Sequence, residues 1–184
     1  LEATNNFPEI TGRVCPAPCE AACSLSINQE PVTIRQIELA LVERGWREGW
    51  ILPQPPAKKT GRRVAIIGSG PAGLTAGYYL ALKGFRPTIF EALPVAGGML
   101  GAAIPEHRLP KKVLNKEIDN IKKAGVEIKT NTRVGKDITL DGLLNDGFKA
   151  VFIATGAWKS MKMGIPGEEA EGVIQSLEYL KATN

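Results

Sequence analysis

The sequence predicts an α/β protein: a doubly wound, Rossmann-like domain preceded by a small α-helical segment. Three observations carry this. From residue 61 onward, short apolar strand patterns alternate with helical ones, and such alternation produces a parallel sheet covered on both faces. A glycine motif, Gly68-Ser69-Gly70-Pro71-Ala72-Gly73, joins the first of these strands to the first helix. All three cysteines fall between Cys15 and Cys23, ahead of the proline-rich stretch Pro53-Gln54-Pro55-Pro56. The expected organisation is therefore a helical segment over 1–52, an extended linker over 53–60 and a dinucleotide-binding domain over 61–184.

Composition sets the outer limits. With 184 residues the chain can bury a real core. Its 43% apolar and 23% charged residues exclude disordered and collagen-like classes. No run approaches the roughly 20 apolar residues of a membrane span, and no basic-then-apolar leader opens the chain, so a cytoplasmic location is expected. The net charge, 23 − 19 = +4, is too weak to argue for nucleic acid. The basic residues Lys58, Lys59, Arg62 and Arg63 lack the interleaved aromatics that single strands stack on.

In order along the chain, the first clear element is a helix after Thr33. Thr33 with Gln36 suits a capping box, and Ile34, Ile37 and Leu41 recur at helical spacing. Gly45 and Gly49 place its end between 44 and 50, where Trp46 and Trp50 either pack on the second unit or mark a partner surface. In the second unit, Arg63–Gly68 reads as a buried strand and Pro71–Lys83 as a helix, with proline at its first position and Gly84 as its stop. Pro87–Glu91 is a second strand, Ala96–Ala103 a glycine-rich loop, and Lys111–Lys123 a helix ended by Gly125. Val126–Lys129 is a strand, Leu140–Leu144 a short helix, Ala150–Thr155 a further strand and Val173–Lys181 a last helix.

Each glycine of the motif has a mechanical task. Gly68 permits the tight turn, Gly70 lets backbone approach a pyrophosphate, and Gly73 lets helix and strand pack closely. The helix N-terminus then presents its amides and dipole to the phosphates. Glu91 ends the second strand 18 residues past Gly73, where a ribose-binding carboxylate belongs. Such a carboxylate repels a 2′-phosphate, so the site suits FAD or NAD better than NADP; the spacing does not separate FAD from NAD.

Four motifs in order, VAIIGSGPAGL, IFEALPVAGGML, IPEHRLP and VFIATGA, resemble the FAD-binding domain of the glutamate synthase small-subunit family, a set that includes similar modules in dihydropyrimidine dehydrogenase and in ferredoxin–NADP transhydrogenases. The resemblance covers nearly the whole chain. It implies that Gly68, Ser69, Gly70, Pro71 and Ala72 cradle the FAD pyrophosphate and that Glu91 holds the adenosine ribose. By the same resemblance, Gly97, Gly98, Met99 and Leu100 pass along the pyrophosphate toward the flavin, and Ile104 and Pro105 lie near the isoalloxazine. Arg108 would hydrogen-bond the cofactor, Val134 would contact the adenine through its backbone, and Thr155 and Gly156 would close over the dinucleotide. Core packing for Met99 and Leu100, and a solvated charge for Arg108, are the plainer alternatives. His107, the only histidine, reads as a surface residue, and no side chain is expected to be catalytic.

The cysteines form the pattern Cys15-Pro-Ala-Pro-Cys19-Glu-Ala-Ala-Cys23. There is no second pair, as a zinc ribbon would need. A helix starting at Pro18 would put Cys19 in its first turn and Cys23 one turn on, favouring thiolates for iron–sulfur ligation; three free thiols are the other reading. Glu38 projects from the apolar stripe of the helix after Thr33, where a carboxylate is unfavourable unless paired or ligating, or reaches solvent at the stripe's edge. The family pattern matches GRVCPAPCEAAC, implying that Cys15 and Cys19 serve one [4Fe–4S] cluster and Cys23 another, with Glu38 as a non-cysteine ligand and further cysteines upstream.

The resemblance thus implies a part of a subunit that passes electrons from NAD(P)H through FAD to [4Fe–4S] clusters and a large partner subunit, such as a glutamate synthase alpha subunit. The NAD(P)H-binding domain and the final return of the FAD-binding domain would follow Asn184, so the FAD-binding domain over 61–184 would be incomplete and the isolated piece inactive. The rivals are a non-catalytic FAD- or NAD-binding docking module and a related transhydrogenase or dihydropyrimidine dehydrogenase-like subunit. A dehydrogenase of another type lacks support: Tyr78-Tyr79 lie on the first crossover helix, and Tyr79 and Lys83 have Tyr-x-x-x-Lys spacing, but no catalytic histidine accompanies them.

Overall fold

The computed structural model describes Leu1 and residues 4–184. Its centre is a four-stranded, wholly parallel sheet of β1 (Arg63–Ile67), β2 (Arg86–Phe90), β3 (Glu127–Lys129) and β4 (Phe148–Ile153), in the order β3-β2-β1-β4. This is the doubly wound arrangement the alternation predicts. β1 lies in the middle, with Ile66 paired to Ile89 on one side and to Phe152 on the other.

The front unit holds α1 (Pro8–Val14), α2 (Pro18–Ala21), a 3-10 turn (Ser24–Ile27) and α3 (Ile34–Arg47). In the sheet domain, α4 (Pro71–Leu82) makes the first crossover, α5 (Met99–Ala102) is one turn inside the glycine-rich loop, and α6 (Lys111–Lys123) precedes β3. α7 (Leu140–Asn145) precedes β4, and α8 (Ser176–Thr183) ends the chain.

The main core lies on the face covered by α4 and α6. Ile66 and Ile89 from the sheet meet Leu74, Leu114, Ile118 and Ile121 from the helices. Helix and sheet come close because Gly77 has no side chain: a Cβ there would stand 3.1 Å from Ile89 Cδ1. A smaller core on the opposite face joins Ala65, Phe90, Leu143 and Phe148 under α7. β4 is an edge strand, with Phe152 45% and Ile153 64% exposed.

The front unit does not stand apart. Phe7 and Ile10 of the α1 region are buried in the main core. The seven-residue helix α1 is absent from the sequence reading because it is stable through this docking rather than through its own propensity. Its Gly12 brings it against Leu39 of α3, where a Cβ would meet Leu39 Cβ at 3.0 Å. Glu9 of α1 is buried and ion-paired to Lys116 Nζ of α6 at 2.6 Å, and that ammonium also lies 4.5 Å from the Trp46 ring centroid on α3. Trp46 therefore packs on the second unit, whereas Trp50 stays exposed beside Arg44. The segment 53–60 has no regular structure, and it ends against the first crossover, where the Thr60 amide donates to Gly84 O at 2.8 Å.

Three local expectations are corrected. α3 begins at Ile34 as expected, but Thr33 makes no side-chain cap, so the Thr33–Gln36 capping box does not form. The Arg35 amide instead donates to Glu20 Oε1 at 3.0 Å. A carboxylate from α2 thus satisfies a first-turn donor and complements the helix dipole. The stripe Ile34, Ile37 and Leu41 faces outward at 40, 49 and 56% exposure, while Val42 and Gly45 face in. The helical period holds, but the close approaches at Gly12 and Gly45 set which face is covered. Finally, the last helix starts at Ser176 rather than Val173, because Gln175 is extended and its amide group donates to Glu168.

Candidate functional site

The loops leaving the C-terminal ends of β1, β2 and β4 surround a cleft of about 460 Å³. Open parallel sheets bind ligands there, where the strand order reverses, here between β1 and β4. Gly68, Ser69, Gly70, Pro71 and Ala72 form one wall, Gly98 and Met99 a second, and Thr155 and Gly156 a third. Val134 and Glu91 line the end beyond β2.

The motif glycines stand in different surroundings. Gly68 holds φ +101°, and a Cβ on it would lie 2.4 Å from Ala154 O, so it admits both the turn and the neighbouring strand. A Cβ on Gly73 would lie 1.9 Å from Gly68 O, which leaves no room between helix and loop. Gly70 differs: a Cβ there meets nothing within 4 Å. The space is open because it belongs to the cleft. Gly98 seats the second loop on the first, since its Cβ would meet Gly70 Cα at 2.7 Å.

Glu91 is 5% exposed, and both its carboxylate oxygens accept hydrogen bonds. Its Oε2 accepts from the Ser69 amide at 2.9 Å and from Ser69 Oγ at 2.5 Å, and its Oε1 accepts from the Leu93 amide at 2.8 Å. Ser69 Oγ in turn accepts from the Gly97 amide at 3.0 Å. The carboxylate therefore locks the glycine loop to β2 and to the second loop, while lining the cleft. Oε2 already accepts twice, but Oε1 accepts once and keeps a second acceptor direction, so a ribose hydroxyl can be added there.

Other predicted residues lie elsewhere. Gly73 and Leu100 are buried in the packing beside the cleft, and Gly97 stands behind Ser69. Arg108 is not brought to the cleft: its guanidinium donates to Val14 O at 3.5 Å, at the end of α1. His107 is exposed. Sequence reasoning missed Thr132, Arg133, Trp158 and Lys181, all of which line the cleft. Trp158, just past Thr155-Gly156, carried a positional hint; Lys181 carried none, since it arrives from α8 through the tertiary fold.

The cysteine segment is arranged differently from the expectation. Cys19 lies exposed in α2. Cys23 falls past that helix in extended backbone and does not share its face, because α2 ends at Ala21. Cys15 Sγ accepts from the Ala17 amide at 3.3 Å. The amides of Val32, then of Leu25 and Ser26, hold the Cys23 thiol below its ordinary value. Glu38 is half-buried on α3. Among the described residues no three His, Cys, Asp or Glu side chains are grouped to hold a metal ion. Cys15, Cys19, Cys23 and Glu38 thus do not by themselves make a complete cluster site.

Comparison with known proteins agrees with both halves. Residues 62–184 match the pyridine nucleotide-disulphide oxidoreductase family, and residues 1–50 match the dihydropyrimidine dehydrogenase domain II, 4Fe-4S cluster family. The small chain of NADPH glutamate synthase from Mycobacterium tuberculosis is 48% identical over the whole chain, which spans 38% of that protein. The beta subunit of the NADP(+)-dependent formate dehydrogenase of Moorella thermoacetica is 44% identical over 95% of the chain and 28% of its own length. Among solved structures, the M. tuberculosis oxidoreductase FprA aligns with a TM-score of 0.53 and 25% identity, over 66% of this chain and 28% of FprA. The chain therefore spans well under half the length of these relatives. The family implies FAD and NAD(P)H as cofactors and the front segment a 4Fe-4S cluster. The glycine-walled cleft fits FAD, with Gly70 leaving space where backbone must meet a diphosphate. By the match over residues 62–184, two-thirds of its length, the chain belongs to the pyridine nucleotide-disulphide oxidoreductase family.

Proposed function

We propose that the chain is the FAD-binding and iron–sulfur portion of a glutamate synthase-like small subunit, which moves electrons from NAD(P)H through FAD to [4Fe–4S] clusters and a larger catalytic partner. The observation that carries this is the open space at Gly70, at a helix N-terminus and next to Ser69, whose amide donates to the buried Glu91, in a chain similar along its full length to such small chains. We further propose the division already expected: a ligand-bearing front unit over 1–52, a linker over 53–60 and an FAD domain over 61–184.

When bound, FAD supplies the conversion from two-electron to one-electron transfer. This chain's residues do the holding. The amides at the start of α4 face the diphosphate, and Gly70 lets it approach. Glu91 takes the ribose hydroxyls, while Gly98 and Met99 border the path toward the flavin. Cys15, Cys19, Cys23 and Glu38 are proposed as cluster ligands that need others beyond this chain. No general acid or base is required of any side chain here.

The electron acceptor is the open part of the proposal. The similarity to a formate dehydrogenase beta subunit favours a portable electron-transfer module as the second reading. The test is anaerobic reduction of the parent polypeptide by NADPH and by NADH, followed by flavin bleaching. Bleaching by either nucleotide, with iron in stoichiometric amount, is expected. A flavin that neither nucleotide reduces would overturn the proposal.

A further inference from the structure

The cleft carries a charged residue that neither the glycine motif nor the family resemblance assigns. Lys181 lies near the end of α8, the last helix, yet it lines the cleft together with Gly98, Met99, Thr155 and Gly156. Two contacts hold it there. Trp158 Nε1 donates to Thr155 O at 2.7 Å, which fixes the indole at the β4 wall, and Lys181 Nζ lies 5.3 Å from that ring's centroid. The Asn184 side-chain amide donates to Gly101 O at 3.0 Å, which ties the end of α8 to the second glycine loop. α8 therefore spans from the β4 side to the loop over 96–101.

Charge gives this placement its meaning. The charged side chains among the cleft-lining residues are Glu91, Arg133 and Lys181. Glu91 is turned onto Ser69 and Leu93. Arg133 sits beside Thr132, whose amide donates to Glu91 O at 2.8 Å, at the far end beyond β2. Lys181 alone of the three arrives from the β4 side, over Trp158, on the helix whose end Asn184 ties to Gly101. A diphosphate brings two negative charges. Helix amides and the dipole offset them in part, and a nearby ammonium adds a charge-assisted hydrogen bond. An ammonium resting on an aromatic face keeps donors free for a ligand.

We propose that Lys181, positioned by Trp158, is a cofactor-binding residue that pairs with the FAD diphosphate from the side opposite the glycine motif. This rests on the FAD reading above and adds to it a residue, a charge and the helix that delivers them.

The experiment is equilibrium titration of the 184-residue chain with FAD, read by flavin fluorescence, at low and high salt. Wild type is compared with K181M and K181R. K181M should bind about tenfold more weakly and lose part of the salt dependence, because screening acts on the ion pair. K181R should keep most of the affinity, and all three should melt alike, since Lys181 is exposed. Equal affinity and equal salt dependence in K181M would overturn the role of Lys181 while leaving the FAD reading intact. Weakening that K181R does not rescue and salt does not modulate would also overturn it, because packing of α8 would then carry the effect. A wild type that takes up no FAD would overturn both.

Discussion

Gly70 and Gly73 stand three positions apart in one motif, yet the structure assigns them opposite kinds of necessity. At Gly73 a methyl group would lie 1.9 Å from Gly68 O, a backbone atom that cannot move aside cheaply. Gly73→Ala should therefore cost about 3 kcal/mol or more in stability, at the upper end of overpacking effects, and lose cofactor binding as a consequence. At Gly70 the methyl group enters empty cleft, and φ is −68°, which any residue adopts. Gly70→Ala should stay within about 1 kcal/mol of wild-type stability while weakening FAD binding. Urea denaturation and flavin titration of both variants separate the two effects. Equal stability losses at the two positions would contradict the division. The motif itself was legible because its spacing is set by local backbone geometry. Lys181 and Arg133 were not, because their place in the cleft depends on where distant segments return.

At the scale of elements, what could be read depended on whether an element's neighbours lie within the alternating pattern. The sequence marks α6 to its ends, Lys111–Lys123, since its buried Val113, Leu114, Ile118 and Ile121 follow one helical stripe. For α3 the sequence marks the extent but not the facing, because its Ile34, Ile37 and Leu41 stripe is exposed. The sequence does not mark α1: seven residues hold no periodic signal, and docking stabilises them. The segment after β4 shows how a single carboxylate can organise irregular backbone. Glu168 accepts from the amides of Met163 at 2.8 Å and Gly164 at 2.9 Å, and these hold its carboxyl below the ordinary value. A folded-state value that is depressed means stability present above the unfolded value and lost as pH falls through the folded one. The clip should therefore persist down through the ordinary glutamate range, about 4.3, and release only below it. Nuclear magnetic resonance titration of the Met163 and Gly164 amides should show a shared midpoint below that range. A midpoint at the ordinary value would show that the clip does not form.

At the scale of the whole molecule, a parallel sheet, a glycine-walled cleft and a docked cysteine segment make one continuous structure. Phe7 and Ile10 reach the same core as Ile66 and Ile89, so the front unit and the sheet domain share their burial. Among the described residues no helix is long and apolar enough to cross a membrane. Phe152 and Ile153 leave the β4 edge apolar and open. The central claim is that the cleft between β1 and β4 holds FAD. It is tested most directly by loading the purified 184-residue chain with excess FAD, removing the free flavin, and measuring bound flavin per chain. One FAD per chain is the predicted result. A colourless chain that retains no flavin but binds NAD+ tightly would contradict the account and support a nicotinamide-binding docking module instead.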